Sequence, residues 1–588
     1  MSLEEIILKY ALYNAVKYGG KADVKAVMSK VMSEKPELRS RAREVKQLVE
    51  KIIEKVNSIS IDEQRRILSE RWPELLEEKR VEYKKTVETL PRLPNDDKYE
   101  VITLRFAPNP DFVLTLGNAR PAVLNYAYKL KYEEMGRKAK FILRFEDTDP
   151  RTKKPLLEAY DLIKEDLKWL GIKWDEEYIQ SDRMEIYYEM AKKLIEKGGA
   201  YVVAEKTKCT PKDWEESKRV GKPCSARNES PEYNLELFEK MLSGHYGEGE
   251  AVLVVKTDLN HPDPSVRDWV AMRIIDTTKY PHPRTGSKYI VWPTYNFAVA
   301  IDDYLMRITH ILRAQEHYVN TIKQSYIYQH MNWKMPETIH FGRLMIEGAT
   351  LSKSKLKALG LSYDDITLPT LAGLRNRGIQ PEAIWEIILH VGIKSTDATI
   401  SLENLYTINR RILEPKANRY MMIHEPVRLV IEKVYEVLEA KIPYHPSYPD
   451  RGYRVLKLEP KNGKIELYIN KSDIDYLIKN GMVRLMDLAN IKLKELRDNE
   501  VLTEVHSLDL DTARKLKLQI IQWVSSTDNV KVIIKKPVNN YRIIIEEGFG
   551  EKYLLQTRPN DIVQFVRYGF VKIRKVERDL VECNYVHD

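Results

Sequence analysis

The order strand–turn–helix–strand–helix between residues 101 and 170 constrains this chain more than any other feature of it. Val101–Ala107 is a short apolar run that predicts a strand, and it ends in a Pro/Asn/Asp/Gly turn. A helix is expected from about Asn118 to Glu134, a second strand at Lys140–Phe145 and a second helix at Pro155–Leu170. Strands alternating with helices imply a parallel sheet with right-handed crossovers. A long segment, roughly 201 to 290, interrupts the pattern with an alternating strand, Glu250–Lys256, and the turn Asn260-His261-Pro262-Asp263-Pro264. The pattern resumes with Met306–Leu312 as a strand and Glu316–His330 as a helix.

The flanks read differently. Leu8, Ala11, Leu12 and Ala15 recur at helical spacing, and residues 1 to about 90 read as helices broken near Lys35-Pro36 and Trp72-Pro73. Leu90-Pro91-Arg92-Leu93-Pro94-Asn95-Asp96-Asp97 suits a linker. Residues from about 371 to 412 look helical again. From about 415 onward the short runs Arg454–Leu458, Ile465–Ile469, Val530–Ile534 and Tyr541–Ile545 alternate with turns, which reads as one or two antiparallel barrels. A chain of 588 residues is too long for one core. Its formal net charge of +9 is compatible with a nucleic-acid partner and equally with a solubilising charged surface. Three cysteines, Cys209, Cys224 and Cys583, are too few for a disulfide framework and show no Cys-x-x-Cys pair, so no structural zinc is expected. No apolar run approaches the ~20 residues of a membrane span, and no signal-peptide core is visible, so a cytoplasmic protein with no membrane partner is expected.

Two segments carry chemistry. Arg105-Phe106-Ala107-Pro108-Asn109-Pro110-Asp111-Phe112-Val113-Leu114-Thr115-Leu116-Gly117-Asn118-Ala119-Arg120 runs from a strand through a turn into a helix. Glycine lets backbone approach a ligand closely, and a helix N-terminus offers free N–H groups to phosphate. Gly342-Arg343-Leu344-Met345-Ile346-Glu347-Gly348-Ala349-Thr350-Leu351-Ser352-Lys353-Ser354-Lys355 interleaves hydroxyls with lysines, whose ammonium groups suit charge developing on a leaving pyrophosphate. Taken singly, each also reads as a plain strand–turn–helix connection or a solvated charged loop.

In this order, and with the long insertion between them, the two segments resemble the signature motifs of class I aminoacyl-tRNA synthetases. Arg105–Pro110, Phe141-Ile142-Leu143-Arg144-Phe145-Glu146-Asp147-Thr148-Asp149-Pro150, Trp292–Phe297 with Ile301-Asp302-Asp303, and Thr309–His317 are similar to the glutamyl/glutaminyl branch. The helical start and β-rich end resemble archaeal glutamyl enzymes. The resemblance implies a multidomain α/β and β fold, with a Rossmann-type catalytic domain in two halves, 96–200 and 291–370. It also implies a helical N-terminal extension and linker at 1–95, an inserted acceptor-stem-binding domain at 201–290, a helical connecting subdomain at 371–414 and a β-barrel anticodon-binding domain at 415–588. The chain departs from the family where Thr115 stands for the first motif's leading histidine, Phe112 for its turn glycine and Thr350 for the second motif's first lysine.

The resemblance implies ATP-dependent activation of glutamate to glutamyl-adenylate, with magnesium accompanying ATP, then transfer to the 3′ end of tRNA(Glu). It leaves tRNA(Gln) open as a second acceptor. Thr115, Asn118 and Lys353 are the implied catalytic residues. Pro108, Asn109, Asp111, Thr115, Gly117, Asn118, Leu344, Ser352, Lys353 and Ser354 are the implied ATP site. Arg105, Glu146, Tyr295 and Arg313 are the implied glutamate pocket: Arg313 sets specificity, Arg105 is a second carboxylate contact and Glu146 anchors the ammonium group. A guanidinium pairs a carboxylate by two parallel hydrogen bonds, which favours glutamate over glutamine at Arg313. Lys206, Arg267 and Arg273 are expected at the acceptor stem, and Arg419 at the anticodon. The alternatives are a glutaminyl-tRNA synthetase, disfavoured by Arg313, and a non-catalytic tRNA-binding paralogue, suggested by Thr115 and Phe112.

Overall fold

The strand Val101–Phe106 is buried on both faces from Ile102 onward, as a central strand of a covered parallel sheet must be. It pairs in parallel with Lys138–Phe145, which pairs in parallel with Glu176–Ile179. On its other side Thr309 donates its N–H to the Thr103 carbonyl (3.0 Å) and accepts the Thr103 N–H on its hydroxyl (2.9 Å). That stitch brings in the strand His310–Ala314, itself parallel to Glu337–Phe341. The helices Leu116–Glu134 and Leu157–Trp169 make the crossovers. This is the Rossmann-type arrangement, whose ligands lie beyond the carboxyl ends of the strands. The computed structural model describes residues 2–17, 20–35, 38, 41–72, 87, 90–347, 353–497, 500–539 and 541–588.

The strand expected at Met306–Leu312 lies further on. The helix Tyr295–Leu305 runs up to Met306, and Arg307 turns the chain with φ +55°, so pairing starts only at His310. The shift puts Arg313 inside the strand and one residue from its carboxyl end. The inserted segment is a four-stranded antiparallel sheet, Ala200–Ala204, Ala251–Val255, Val270–Ile274 and Val291–Pro293, with helices Pro211–Arg219 and Pro231–Leu242. Cys209 and Cys224 are joined by a disulfide there, with Cα atoms 6.2 Å apart: a single bridge, not a framework. The stretch expected to be helical from 371 contains the helices Leu371–Arg377, Pro381–Val391 and Leu402–Leu413, but also a strand, Ala398–Ile400, parallel to Leu344–Ile346.

The chain divides into two compact units, one of residues 86–412 with 537–542, the other of 1–85, 413–536 and 543–588. In the second, the helices Leu3–Lys17, Val24–Glu34, Ala42–Ser58 and Ile61–Arg71 close on their own apolar core, and Arg65 donates to the Ser447 carbonyl (3.1 Å). Pro36 and Pro73 lie outside the described residues. The C-terminal portion holds two seven-stranded sheets. They are mixed rather than purely antiparallel: Pro426–Glu432 runs parallel to Glu500–Ser507, and Asn529–Val538 to Leu580–His587. Alternation within single strands cannot distinguish those pairings. Among the described residues no helix is long and apolar enough to cross a membrane.

Candidate active site

Arg105, Arg144 and Arg313 come from the carboxyl ends of three neighbouring parallel strands, and Glu146 directly follows the second. Arg144 is fully buried and stands between two acids, donating Nη1 to Asp303 Oδ1 (2.7 Å) and Nη2 to Glu146 Oε1 (3.0 Å). Arg105 lays its fork on the same Asp303, Nε to Oδ1 (2.9 Å) and Nη2 to Oδ2 (3.1 Å). Burial alone would raise the Asp303 pKa, but Arg105 and Arg144 outweigh it and hold it at about 2. For Glu146 burial wins, and its pKa lies above the usual value despite Arg144. The neighbouring Asp302 accepts from Arg183 Nε (2.9 Å), Gln180 (3.0 Å) and Tyr187 (2.7 Å). These buried charges are paired, as low-dielectric surroundings require.

Arg313 is the exception. It is 5 % exposed, and its Nη2 donates to two neutral oxygens, Thr321 Oγ1 and Gln324 Oε1 (3.0 Å). Its Nε and Nη1 are buried without a well-formed bond to any oxygen among the described residues; the Tyr295 hydroxyl is the weak acceptor beside the guanidinium. Burial pulls its pKa below the usual arginine value. Tyr295 and Arg105 act electrostatically on the guanidinium, so these side chains share one cavity wall. Tyr295 opens its helix, is tilted against the His317 ring with centroids 5.8 Å apart, and also feels Glu146. Burial, then Arg313, drive His317 down to about 4, so the imidazole is neutral at physiological pH. The site therefore presents one buried cation that no carboxylate bonds directly, with Tyr295 beside it and Asp303 acting on it from a distance. Arg105, by contrast, has its Nε and Nη2 on Asp303.

The first signature segment caps a helix. Thr115 is 1 % exposed and donates both its N–H (3.3 Å) and its hydroxyl (3.0 Å) to Asn118 Oδ1, while bridging to Thr370. The hydroxyl expected to face phosphate is thus turned inward, because an N-cap position demands local satisfaction. Gly117 and Asn118 remain half-buried at the helix start. Pro108 is buried and its carbonyl accepts from the Glu146 N–H (3.0 Å); Asn109 and Asp111 are half-buried in the same turn. Leu344 is buried on the strand Leu344–Ile346, and Ser354 is exposed on the short helix Lys353–Ala358. Ser352 and the Lys353 side chain lie outside the described residues.

The expected tRNA contacts divide. Lys206 is exposed in a turn with φ +61°. Arg273 is 39 % exposed at the side chain and pairs with Asp149 (3.1 Å). Arg267 is half-buried and clamps backbone, donating to the carbonyls of His261 (2.7 Å) and Arg219 (3.1 Å), so its guanidinium braces the insertion rather than facing outward. Arg419 donates to Glu414 (2.8 Å). Sequence reasoning missed Thr321 and Gln324 and assigned no part to Arg144, Asp302 or Asp303. A signal existed for the acids: two adjacent aspartates in the otherwise apolar helix Tyr295–Leu305 have to find buried partners.

Residues 101–415 match the family model for the catalytic domain of class I tRNA synthetases (E and Q). Residues 417–511 and 520–574 match two models for the anti-codon binding domain of the same synthetases. The chain is 56% identical to a glutamate–tRNA ligase of Caldivirga maquilingensis, covering 100% of both chains. It is 60% identical to that of Pyrobaculum islandicum over 97% of this chain and 98% of the relative.

Proposed function

This chain belongs to the class I tRNA synthetases of the glutamate and glutamine branch, and we propose from that premise that Arg313 is the group by which it reads its amino acid. It is a glutamate–tRNA ligase: it consumes ATP and joins glutamate to tRNA. The observation that carries the pocket assignment is the buried Arg313 guanidinium, which bonds no protein carboxylate and whose Nε and Nη1 lack a well-formed hydrogen bond among the described residues. A buried unpaired charge costs several kcal/mol, and a substrate carboxylate removes that cost where an amide leaves donor facing donor. Both alternatives fall with the family assignment, since the full-length relatives are glutamate–tRNA ligases.

The chemistry needs positioning more than proton transfer. The glutamate α-carboxylate attacks the α-phosphorus of ATP, forming glutamyl-adenylate and releasing pyrophosphate; the terminal ribose hydroxyl of tRNA then attacks the acyl carbon and releases AMP. Arg313 holds the side-chain carboxylate, Glu146 receives the ammonium group and Tyr295 packs between them. The start of the helix Leu116–Glu134, at Gly117 and Asn118, offers N–H groups to phosphate. Lys353 supplies positive charge to the departing pyrophosphate, on the strength of its place in the second signature segment. ATP enters as its magnesium complex, a substrate rather than a resident group. ATP–pyrophosphate exchange with tRNA present tests the reading: exchange should depend on glutamate and not on glutamine, and exchange driven equally by glutamine would refute it. Charging purified tRNA(Glu) and tRNA(Gln) side by side decides whether the second acceptor is used.

A further inference from the structure

The unpaired state of Arg313 is built by its neighbours. Every oxygen that receives its Nη2 is uncharged: the Thr321 hydroxyl and the Gln324 side-chain amide. The orientation of that amide is fixed from behind. Gln324 Nε2 donates to Asn296 Oδ1 (3.1 Å), Asn296 Nδ2 donates to Asn320 Oδ1 (3.0 Å), and Asn320 Nδ2 contacts His317 Nδ1 (3.1 Å). Thr321 in turn meets His340 Nε2 (2.8 Å). Gln324 is 1 % exposed and stands on the helix Tyr318–Met331, so its reach to Arg313 is set by packing rather than by solvent. A glutamate in the same volume would bind the guanidinium more strongly and end its need for a ligand.

We infer that Gln324, seconded by Thr321, is a specificity-determining positioning residue: its amide oxygen holds the Arg313 fork in place while withholding the negative charge that the substrate must bring. The inference rests on the reading of Arg313 as the substrate-carboxylate group. The relay through Asn296 and Asn320 consists of amides that can reverse donor and acceptor, so it tolerates a carboxylate at 324 without leaving buried groups unmatched. Both histidines at its margin, His317 and His340, are held neutral by burial and then by Arg313, so the cradle adds no charge of its own.

The test is aminoacylation kinetics on full-length Gln324→Glu, Thr321→Val and Arg313→Ala, with KM measured separately for glutamate, ATP and tRNA. Gln324→Glu should raise the glutamate KM by about tenfold or more, because its own carboxylate occupies the guanidinium, while the ATP and tRNA KM values stay within about twofold. The preference for glutamate over glutamine should shrink with it. Thr321→Val, which removes one neutral acceptor without adding charge, should raise the glutamate KM about threefold and leave the preference intact. If Gln324→Glu does not fold, as judged by its melting curve, Thr321→Val and the neutral Gln324→Met carry the test: both should alter the glutamate KM alone. A glutamate KM within twofold of wild type in the folded variants, or equal rises for all three substrates, overturns the inference. Arg313→Ala separates the two levels. If it spoils glutamate use and the Gln324 and Thr321 variants do not, only the positioning role fails; if it spares glutamate use, the reading of Arg313 fails as well.

Discussion

Asp303 anchors two guanidiniums and leaves the third, Arg313, without a bonded carboxylate, and the proposed reading of Arg313 makes the discrimination between glutamate and glutamine rest on that division. Replacing Arg313 by cysteine removes both the attraction for a carboxylate and the mismatch with an amide. Loss of a buried charged contact costs ~2–5 kcal/mol, so Arg313→Cys should lower kcat/KM for glutamate at least about 30-fold and reduce the glutamate-to-glutamine ratio. Aminoacylation of one tRNA with each amino acid checks it; an unchanged ratio at undiminished activity would make Arg313 merely structural. Lys353→Ala should lower single-turnover adenylate formation by about 100-fold, ~3 kcal/mol of transition-state charge stabilisation, with the melting temperature unmoved. An unaltered rate would take Lys353 out of the chemistry. At this scale the sequence was legible where a residue type is scarce in its setting. An arginine at the end of an apolar strand and a glutamate after Arg144-Phe145 stand out in one dimension. Gln324 and Thr321 do not, because polar residues on a helix usually face water. Only the tertiary approach of that helix to the strand His310–Ala314 turns them inward. The inward turn of the Thr115 hydroxyl was hidden for the opposite reason: the same residue type serves a phosphate or an N-cap.

The signature helix begins where a loop, Val113 to Thr115, is pinned against residues 369–371: Leu116 donates its N–H to the Pro369 carbonyl (3.0 Å) and Leu371 its N–H to the Leu114 carbonyl (2.9 Å). Asp166 of the neighbouring helix Leu157–Trp169 is 1 % exposed and lies 3.8 Å from Arg375, and neither of its carboxylate oxygens completes a hydrogen bond among the described residues. Burial outweighs Arg375 and lifts its pKa to about 7. The folded chain therefore keeps a proton that the unfolded chain loses near the ordinary aspartate value of 3.8, so this group's contribution to stability falls as pH rises from about 4 to 7. Asp166→Asn removes that titration while keeping the shape of the side chain and one acceptor oxygen. The variant should be about as stable as wild type below pH 4 and more stable at pH 8, by up to about 4 kcal/mol if the whole shift is realised. A gap that is constant across pH would show that Asp166 does not titrate in this window. The elements themselves were readable to the extent that they are periodic. The strands Val101–Phe106 and Lys138–Phe145 announce themselves by apolar runs between turn residues. The strand Ala398–Ile400 does not, being three residues long and held by its partner Leu344–Ile346 rather than by its own pattern. The four-residue displacement of the strand now at His310–Ala314 came from the helix Tyr295–Leu305, whose apolar residues run almost continuously into it and leave only Arg307 to mark the turn.

Across the whole molecule, the residues proposed to read the amino acid and the anticodon lie in different compact units: Arg313 in the one spanning 86–412, Arg419 in the one that includes 413–536. Arg419 sits on the strand Asn418–Tyr420, parallel to Ile562–Phe565, and its N–H is held by the Tyr444 carbonyl at 2.7 Å. Its guanidinium donates to Glu414 at 2.8 Å, with side-chain exposures of 28% and 44%. A pair this open is worth at most about 1 kcal/mol, so Arg419→Ala should leave the fold standing and the melting temperature within a few degrees of wild type. A planar cation at the surface of an anticodon-binding domain is suited to stack on, or bond to, unpaired bases, and Glu414 keeps it extended until they arrive. The variant should therefore raise KM for tRNA while KM for glutamate stays near wild type, because among the described residues the Arg419 guanidinium bonds Glu414, which has no part in the cluster of Arg105, Glu146, Tyr295 and Arg313. The salt dependence of tRNA binding separates two kinds of contact: a lost phosphate contact would make the slope of Arg419→Ala shallower than wild type, whereas a lost base contact, the one expected here, leaves the slope unchanged and lowers affinity uniformly. The two slopes thus tell whether Arg419 touches backbone or base. A rise in glutamate KM with tRNA KM unmoved would remove Arg419 from the tRNA interface altogether and leave its strand a purely structural edge of the barrel.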